Sequence, residues 1–312
     1  MTTKKKQFII DLLIGLIILI SVCLVYILSN ISVETFETNK THENKIAFIF
    51  LTYNNLKRPE IWNKFFNIDN ADNFNKYSNK YTIYNHAKEK DKVTNILLKD
   101  KHIPEHIETC WGCPNLVEAN ILMMKEALKD PLNTKFILIS DSCIPIVSFD
   151  KFYNKIMKDD KSYINIHYNN NLERFDNIIN PQFRKDEFTK HSGSGLILNQ
   201  KHTKILVSEI ENYIRDWKFV NVPDEHYFGN ILRVLVPTFN NEILIEKITF
   251  DIWIKDILDN NKIDLNNDII TDSYINIKKI TNKAIDELRD KKFLLVRKID
   301  KDTEIDINYI TY

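Results

Sequence analysis

An α/β domain on a mostly parallel central sheet, carried behind one membrane-spanning helix, is the fold this sequence predicts. Three observations predict it. Short β-rich runs alternate with helical patterns from residue 45 onward, two of those runs are apolar without interruption, and a long apolar stretch opens the chain. A strand covered by helices on both faces needs no polar side, so unbroken apolar runs are what such a sheet requires.

The apolar stretch comes first. Phe8 to Leu28 (FIIDLLIGLIILISVCLVYIL) carries a single charge, Asp11. At about 1.5 Å per helical residue it covers roughly 31 Å, close to the hydrocarbon thickness of a bilayer. A cleaved signal peptide has a shorter apolar core and a small-residue cleavage site, and Tyr26-Ile27-Leu28 offers none. Lys4, Lys5 and Lys6 precede the stretch, while Glu34 and Glu37 follow it. The positive-inside rule then makes residues 1–7 a cytoplasmic tail, 8–28 a signal anchor, 29–44 a polar stem and 45–312 one lumenal domain. The expectation is a single-pass, type II membrane protein.

Beyond the stem, Ile46 to Tyr53 and Phe136 to Ser140 form the two apolar strands, with a shorter strand at Tyr81–Tyr84. Asn115 to Leu128 puts Val117, Ile121, Met124 and Leu128 on one helical face. Ser148 is a favoured N-cap type for a helix running to about Met157. A strand near Gly195–Leu198 follows, then helices near His202–Trp217 and Glu225–Leu235. A helix over Ile280–Arg289 and a strand over Phe293–Arg297 close the pattern. Ligands of such sheets sit at the carboxyl ends of the strands, which directs attention to Thr52, His86 and Asp141.

Composition excludes more than it assigns. Lys plus Arg equals Asp plus Glu at 43 each, so no basic excess points to nucleic acid. Of the 4 cysteines, Cys23 lies in the apolar stretch, leaving Cys110, Cys113 and Cys143 downstream. Three thiols allow one disulfide at most, which excludes a disulfide-framework domain. The Cys110-Trp111-Gly112-Cys113 spacing suits redox and zinc sites, but zinc needs two more ligands and no second pair exists.

Three short segments carry candidate chemistry. Asp141 ends the second apolar strand, where nucleotide-sugar transferases often place two acids around a metal. Here position 143 is Cys, and a lone carboxylate is a poor site for a hard divalent ion. Asp141 could equally cap a turn before Pro145. In Pro223-Asp224-Glu225-His226-Tyr227-Phe228, two acids open a helical pattern, a position that also suits simple dipole complementation. Phe293 to Lys298 is a strand ending in two cations, Arg297 and Lys298.

In order along the chain stand Lys45–Thr52 (KIAFIFLT), Tyr81–His86 (YTIYNH), Trp111–Ala119 (WGCPNLVEA) and Lys135–Pro145 (KFILISDSCIP). Ser148-Phe149, Ser192–Gly195 (SGSG), Pro223–Phe228 (PDEHYF) and Phe293–Lys298 (FLLVRK) follow them. This ordered set resembles the core-2/I-branching β-1,6-N-acetylglucosaminyltransferase family, which has xylosyltransferase and plant glucuronosyltransferase-like relatives. The resemblance covers most of residues 45–300.

That resemblance implies a GT-A-like nucleotide-sugar transferase that inverts the anomeric centre without a metal or other cofactor. UDP-GlcNAc would be the donor and a glycan or glycoprotein hydroxyl the acceptor. Glu225 matches the family's catalytic base, and Lys298 a lysine at the donor diphosphate. Thr52, His86, Trp111, Cys113, Asp141 and Arg297 fall in donor-site segments; Arg174, Ser194 and Trp253 fall in acceptor-site segments. A type II anchor with this resemblance implies a secretory-pathway lumen such as the Golgi.

The sequence also departs from the family. Animal members carry a further arginine about two dozen residues before the lysine, whereas Thr271–Lys279 holds no Arg and offers Lys278 and Lys279. They also keep several disulfides, and the low cysteine count here is closer to plant, bacterial or large-virus members. Two rivals follow: the same mechanism with UDP-xylose or UDP-glucuronic acid, and a glycan-binding protein without turnover. A glycosidase using Asp224 and Glu225 ranks last, because adjacent helical residues do not face each other across one bond.

Overall fold

The computed structural model describes residues 15, 17–25, 43–68, 76–168, 172–252, 268–271 and 276–310. It divides into two compact units, Met1–His42 and Glu43–Tyr312. In the first, residues 17–25 are helical and exposed. The expected tail, the stem up to residue 42 and the remainder of the expected anchor lie outside the described residues. Among the described residues, no helix is long and apolar enough to cross a membrane.

The second unit opens with β1 (Lys45–Thr52), α1 (Pro59–Phe66), β2 (Tyr81–Ala87), α2 (Asn115–Ala127) and β3 (Asn133–Ser140). Next come β4 (Ile144–Pro145), α3 (Phe149–Met157), β5 (Ser162–Tyr163), β6 (His167–Tyr168), β7 (Thr189–Lys190) and β8 (Ile197–Asn199). Helices α4 (Gln200–Tyr213), α5 (Tyr227–Leu235) and α6 (Phe239–Glu242) lead to β9 (Ile243–Leu244) and β10 (Thr249–Asp251). The chain continues through β11 (Ile269–Thr271), β12 (Ile277–Ile280), α7 (Asn282–Asp290), β13 (Leu295–Arg297), β14 (Ile299–Glu304) and α8 (Ile307–Ile310).

The central sheet has the order β2-β1-β3-β8-β5-β9. β1 pairs in parallel with β2 and β3, and β5 with β9, while β8 is antiparallel to both its neighbours. Five strands therefore run one way and β8 alone opposes them. The mostly parallel expectation holds, with β8 the exception that alternation by itself does not reveal. Two three-stranded sheets, β10-β13-β4 and β11-β12-β14, complete the main framework.

The unbroken apolar run of β1 has a direct physical cause. Ala47 and Ile49 point into a core with Val117, Met124 and Leu206 of α2 and α4. Ile46, Phe48 and Phe50 point into a second core with Trp62, Phe65 and Phe66 of α1 and Phe149 and Phe152 of α3. Alternate side chains leave opposite faces of a strand, and here each face meets helices. Helix α1, which the sequence reading omitted, starts at Pro59, the position where a missing N–H costs nothing. Its Trp62 ring meets Phe50 edge-on at 5.1 Å, and its Nε1 donates to the Cys143 carbonyl at 2.9 Å. That bond fixes the turn after β3.

Several boundaries differ from the sequence reading: the strand expected over Phe293–Arg297 starts at Leu295, and the helix expected over His202–Trp217 is α-helical over Gln200–Tyr213 and 3-10 from Ile214 to Trp217. The expected Gly195–Leu198 strand begins at Ile197, because Gly195 sits at φ 76° in the preceding turn. The expected helix over Ile280–Arg289 starts at Asn282; Ile280 belongs to β12, and Thr281 Oγ1 caps the helix by accepting from the Ala284 N–H at 3.2 Å. Glu225 does not open a long α-helix: Pro223–Glu225 is a separate 3-10 turn, and α5 starts at Tyr227. Ser148 caps α3 as expected, accepting from the Lys151 N–H at 3.4 Å.

Candidate active site

The carboxyl ends of β1, β2 and β3 are tied together by the predicted residues there. Tyr53 N–H, just past β1, donates to Asp141 Oδ2 at 3.2 Å, and Lys57 N–H donates to the Asp141 carbonyl at 2.9 Å. Asp141 therefore braces two strand tips, whatever else it does. Thr52 is buried, with its Oγ1 3.0 Å from the Asn54 carbonyl and 3.2 Å from Asn85 Oδ1. His86 is also buried; its Nε2 accepts from the Ile107 N–H at 3.2 Å and its ring stacks on His106 at 4.7 Å. Burial pushes the His86 imidazole down to about 4, so it is neutral at pH 7. Position 143, where a second metal-binding acid would stand, holds a buried thiol 3.2 Å from Ser140 Oγ and 3.6 Å from Ser194 Oγ. Among the described residues, no group of three or more His, Cys, Asp or Glu could hold a metal ion.

Glu225 stands on a turn held from several sides. Val222 adopts a left-handed conformation at φ 52°, and its N–H donates to the Gly112 carbonyl at 3.1 Å. Gly112 belongs to a loop closed by the Cys110–Cys113 disulfide, with Cα atoms 5.4 Å apart. The His191 N–H donates to the Glu225 carbonyl at 2.7 Å. The Glu225 side chain is largely enclosed, and one oxygen, Oε2, meets both Arg174 at 3.2 Å and Lys190 at 3.3 Å. Oε1 has no such partner among the described residues. Two cations on one oxygen fix the carboxylate plane and leave the other oxygen free to accept a proton.

The cations are themselves fixed. Arg174 Nη1 lies 3.0 Å from His226 Nε2, while His226 Nδ1 lies 2.9 Å from the Thr189 carbonyl. A carbonyl can only accept, so Nδ1 carries the proton and Nε2 takes the guanidinium bond. Burial pushes the His226 imidazole down to about 3, which keeps that tautomer neutral. Lys190 lies on β7, which pairs antiparallel with β6.

Lys298 follows the end of β13. Burial and the adjacent Arg297 charge lower its ammonium from the usual range, while Glu225, Asp251 and Asp141 pull the other way. The last three acids therefore lie within its electrostatic reach. Asp251 is the register partner of Arg297 across β10 and β13. It is buried, ion-paired to Lys247 at 2.5 Å, and accepts from Ser192 Oγ at 3.3 Å. Burial, followed by the Glu225 charge, raises the Asp224 carboxyl to about 6, against the pull of Arg297 and Arg174.

One cluster thus collects Glu225, Arg174, Asp141, Arg297 and Lys298 from four segments spread between residues 141 and 298. Thr52, His86 and Ser194 are buried around its strand edge. Cys113 is tied up in the disulfide, and Trp111 stands on the same loop with 86% of its surface exposed. Trp253 lies outside the described residues. Lys278 and Lys279, the alternatives to the family arginine, pair with Asp300 at 3.5 Å and Glu304 at 2.9 Å on β14. Within the described residues those pairs hold them to their own sheet, and Arg297 is the cation beside Lys298. The sequence reading missed Lys190 and Asp251. Lys190 sits two residues before the Ser-Gly-Ser-Gly run, but a lone surface-type lysine gives no signal until its carboxylate partner is placed.

Comparison with known proteins addresses the family of the chain. A rice protein (Oryza sativa subsp. japonica) named Glycosyltransferase BC10 is 25% identical over 218 residues, covering 60% of this chain and 53% of the relative. The chain spans about half the length of that curated relative. The family model described as "Core-2/I-Branching enzyme" matches residues 46–289, from the first residues of β1 to the last turn of α7. The chain belongs to the core-2/I-branching enzyme family.

Proposed function

We propose that this protein is an inverting glycosyltransferase that moves GlcNAc from UDP-GlcNAc to a glycan hydroxyl, in a β-1,6 branching reaction, without a metal ion. The observation that carries the reading is Glu225, held through Oε2 by two cations with Oε1 open, inside the electrostatic reach of Lys298. Family membership supports the glycosyltransferase class, as does the printed name of the rice relative.

In this reaction Glu225 Oε1 takes the proton of the acceptor hydroxyl as that oxygen attacks the anomeric carbon. The bond from the anomeric carbon to the diphosphate breaks, and UDP leaves with the electron pair. Lys298, with Arg297 beside it, meets the charge that develops on the diphosphate. Cations already aimed at developing charge need no reorganisation during the reaction, and such groups contribute several kcal/mol. The thiol at position 143 supports the metal-independent reading, because it replaces the second oxygen ligand of the usual metal motif with a buried sulfur.

The membrane placement belongs to the same proposal: a type II anchor over Phe8–Leu28 with the catalytic unit lumenal, in the Golgi or a related compartment. It rests on the apolar length and the Lys4–Lys6 cluster.

A donor screen with EDTA present tests class and mechanism together. UDP release is measured with UDP-GlcNAc, UDP-xylose and UDP-glucuronic acid over a panel of glycan acceptors. Release with UDP-GlcNAc that survives chelation is expected, and Glu225→Gln lowers it by about a hundredfold or more with an unchanged thermal unfolding profile. Activity that vanishes with EDTA and returns with Mn²⁺ sinks the metal-independent mechanism. Equal activity of wild type and Glu225→Gln sinks the base assignment, and release only with another sugar nucleotide moves the donor.

A further inference from the structure

Next in sequence to the proposed base and to the proposed diphosphate cation stand two buried polar atoms that lack partners among the described residues. Asp224 as a whole is half-buried, but its Oδ1 is fully enclosed and has no hydrogen-bond partner among the described residues. The same is true of Arg297 Nε. Buried polar groups in folded proteins are nearly always bonded, and each exception calls for an explanation. One of these atoms accepts and the other donates. The two side chains feel each other's charge, yet neither of these atoms has found a bond. A hydroxyl answers both needs at once, donating to the carboxylate and accepting from the guanidinium.

The walls of this place are made of missing side chains. A Cβ on Gly193 would lie 2.7 Å from Asp224 Oδ2, and one on Gly195 would lie 1.8 Å from Thr249 Oγ1. Thr249 Oγ1 is itself enclosed and without a partner among the described residues. Thr249 and Asp251 lie on β10, and Asp251 pairs in register with Arg297. The Gly193–Gly195 segment therefore runs between the Asp224 turn on one side and β10 on the other, with backbone rather than side chain against both.

Sequence adjacency supplies the orientation. Asp224 precedes the proposed base, and Arg297 precedes the proposed diphosphate cation. The transferred sugar has to lie between those two, since its anomeric carbon is bonded to the diphosphate and is attacked by the acceptor oxygen at Glu225. We propose that Asp224 and Arg297 grip a hydroxyl of the donor's sugar ring against the Gly193–Gly195 backbone. Asp224 is then a specificity-determining residue for the transferred sugar.

This inference rests on the donor-site reading above, and calorimetric titration separates the two. Wild type, Asp224→Ala and Gly193→Ala are titrated with UDP alone and with UDP-GlcNAc, UDP-xylose and UDP-glucuronic acid. Gly193→Ala is the second route, because its methyl group must displace the carboxylate without removing it. The expected result is a Kd for the bound UDP-sugar that rises about tenfold in both variants, the loss typical of one charge-assisted hydrogen bond. The Kd for UDP stays within about twofold, which also shows that the variants are folded. Equal weakening of UDP and UDP-sugar, or no weakening of either, overturns the sugar grip and leaves the transferase reading standing. A wild-type protein that binds UDP but none of the three UDP-sugars also overturns the grip. A wild-type protein that does not bind UDP sinks the donor-site reading, and the sugar grip with it.

Discussion

At the residue scale, Glu225 shows how one side chain is made directional. Arg174 and Lys190 both contact Oε2, so the carboxylate cannot rotate without breaking two ion pairs in a largely enclosed place. Low exposure is what gives those pairs weight; exposed pairs are worth little. Arg174 is further fixed by the neutral His226, whose own proton is committed to a backbone carbonyl. Lys190 is the second cation on that oxygen, and removing it tests the idea. Lys190→Met is expected to lower kcat about tenfold, because misplacing the proposed base by a fraction of an ångström would cost rate rather than binding. The KM for the nucleotide donor should stay within twofold. Steady-state kinetics decide it, and an unchanged kcat would reduce Lys190 to a structural partner.

At the element scale, the turn that presents Glu225 is braced by a loop far away in sequence. The Cys110–Cys113 disulfide closes the loop whose Gly112 carbonyl accepts from Val222, the residue that opens the Pro223–Glu225 turn. Gly112 is at φ 72°, and a Cβ there would touch Val222 Cγ2 at 3.4 Å. The close approach and the backbone angle both favour glycine. Replacing Cys110 and Cys113 together by Ser reopens the loop. The chain-entropy estimate for so short a closure is about 2 kcal/mol, or a thermal midpoint lower by roughly 4–8 °C for a domain of this size. Transfer activity should fall further than stability alone explains, since the Val222 tether loosens. Thermal unfolding and kcat measured on the same preparation check both parts. A midpoint and kcat equal to wild type would show that the brace does not depend on the disulfide.

At the scale of the whole molecule, four histidines are buried among the described residues, and the three with the largest shifts set the response to acid. Burial lowers His86 and His191 to about 4 and His226 to about 3, from an ordinary value near 6.5. Their folded-state pKa values are depressed, so the unfolded chain binds protons that the folded chain refuses. Neutral histidine stabilises the fold fully above pH 6.5, and that contribution is lost as pH falls toward 3–4. Each group adds up to about 1.4 kcal/mol per pH unit in that window, or about 4 kcal/mol per unit for the three together. Asp224 works the opposite way: its carboxyl is raised to about 6, so it stabilises the fold at low pH and that contribution fades as pH rises through 6. The histidines outnumber it, and urea midpoints should fall steeply from pH 6.5 to 4.5. A flat profile over that range would contradict the burial of these imidazoles as the controlling term.

What the sequence determined by itself is local and periodic. The apolar runs Ile46–Tyr53 and Phe136–Ser140 read as strands buried on both faces, and the cores on either side of β1 show why. The 3.6-residue spacing of Val117, Ile121 and Met124 reads as a helix, and Ser148 as its neighbour's cap. The ordered motifs read as a family, and residues 46–289 match that family. Tertiary structure decided whatever depends on partners distant along the chain. The reversed direction of β8 comes from how it docks on β3 and β5, which no property of Ile197–Asn199 encodes. Cysteines spaced as Cys110 and Cys113 suit metal, redox or disulfide chemistry equally, and only the folded loop selects the bond. Lys190 becomes a partner of Glu225, and Asp224 the neighbour of Arg297, because β7, the 3-10 turn and β13 converge. Periodicity records which face of an element meets water; which charges meet one another across elements is recorded only in the packing.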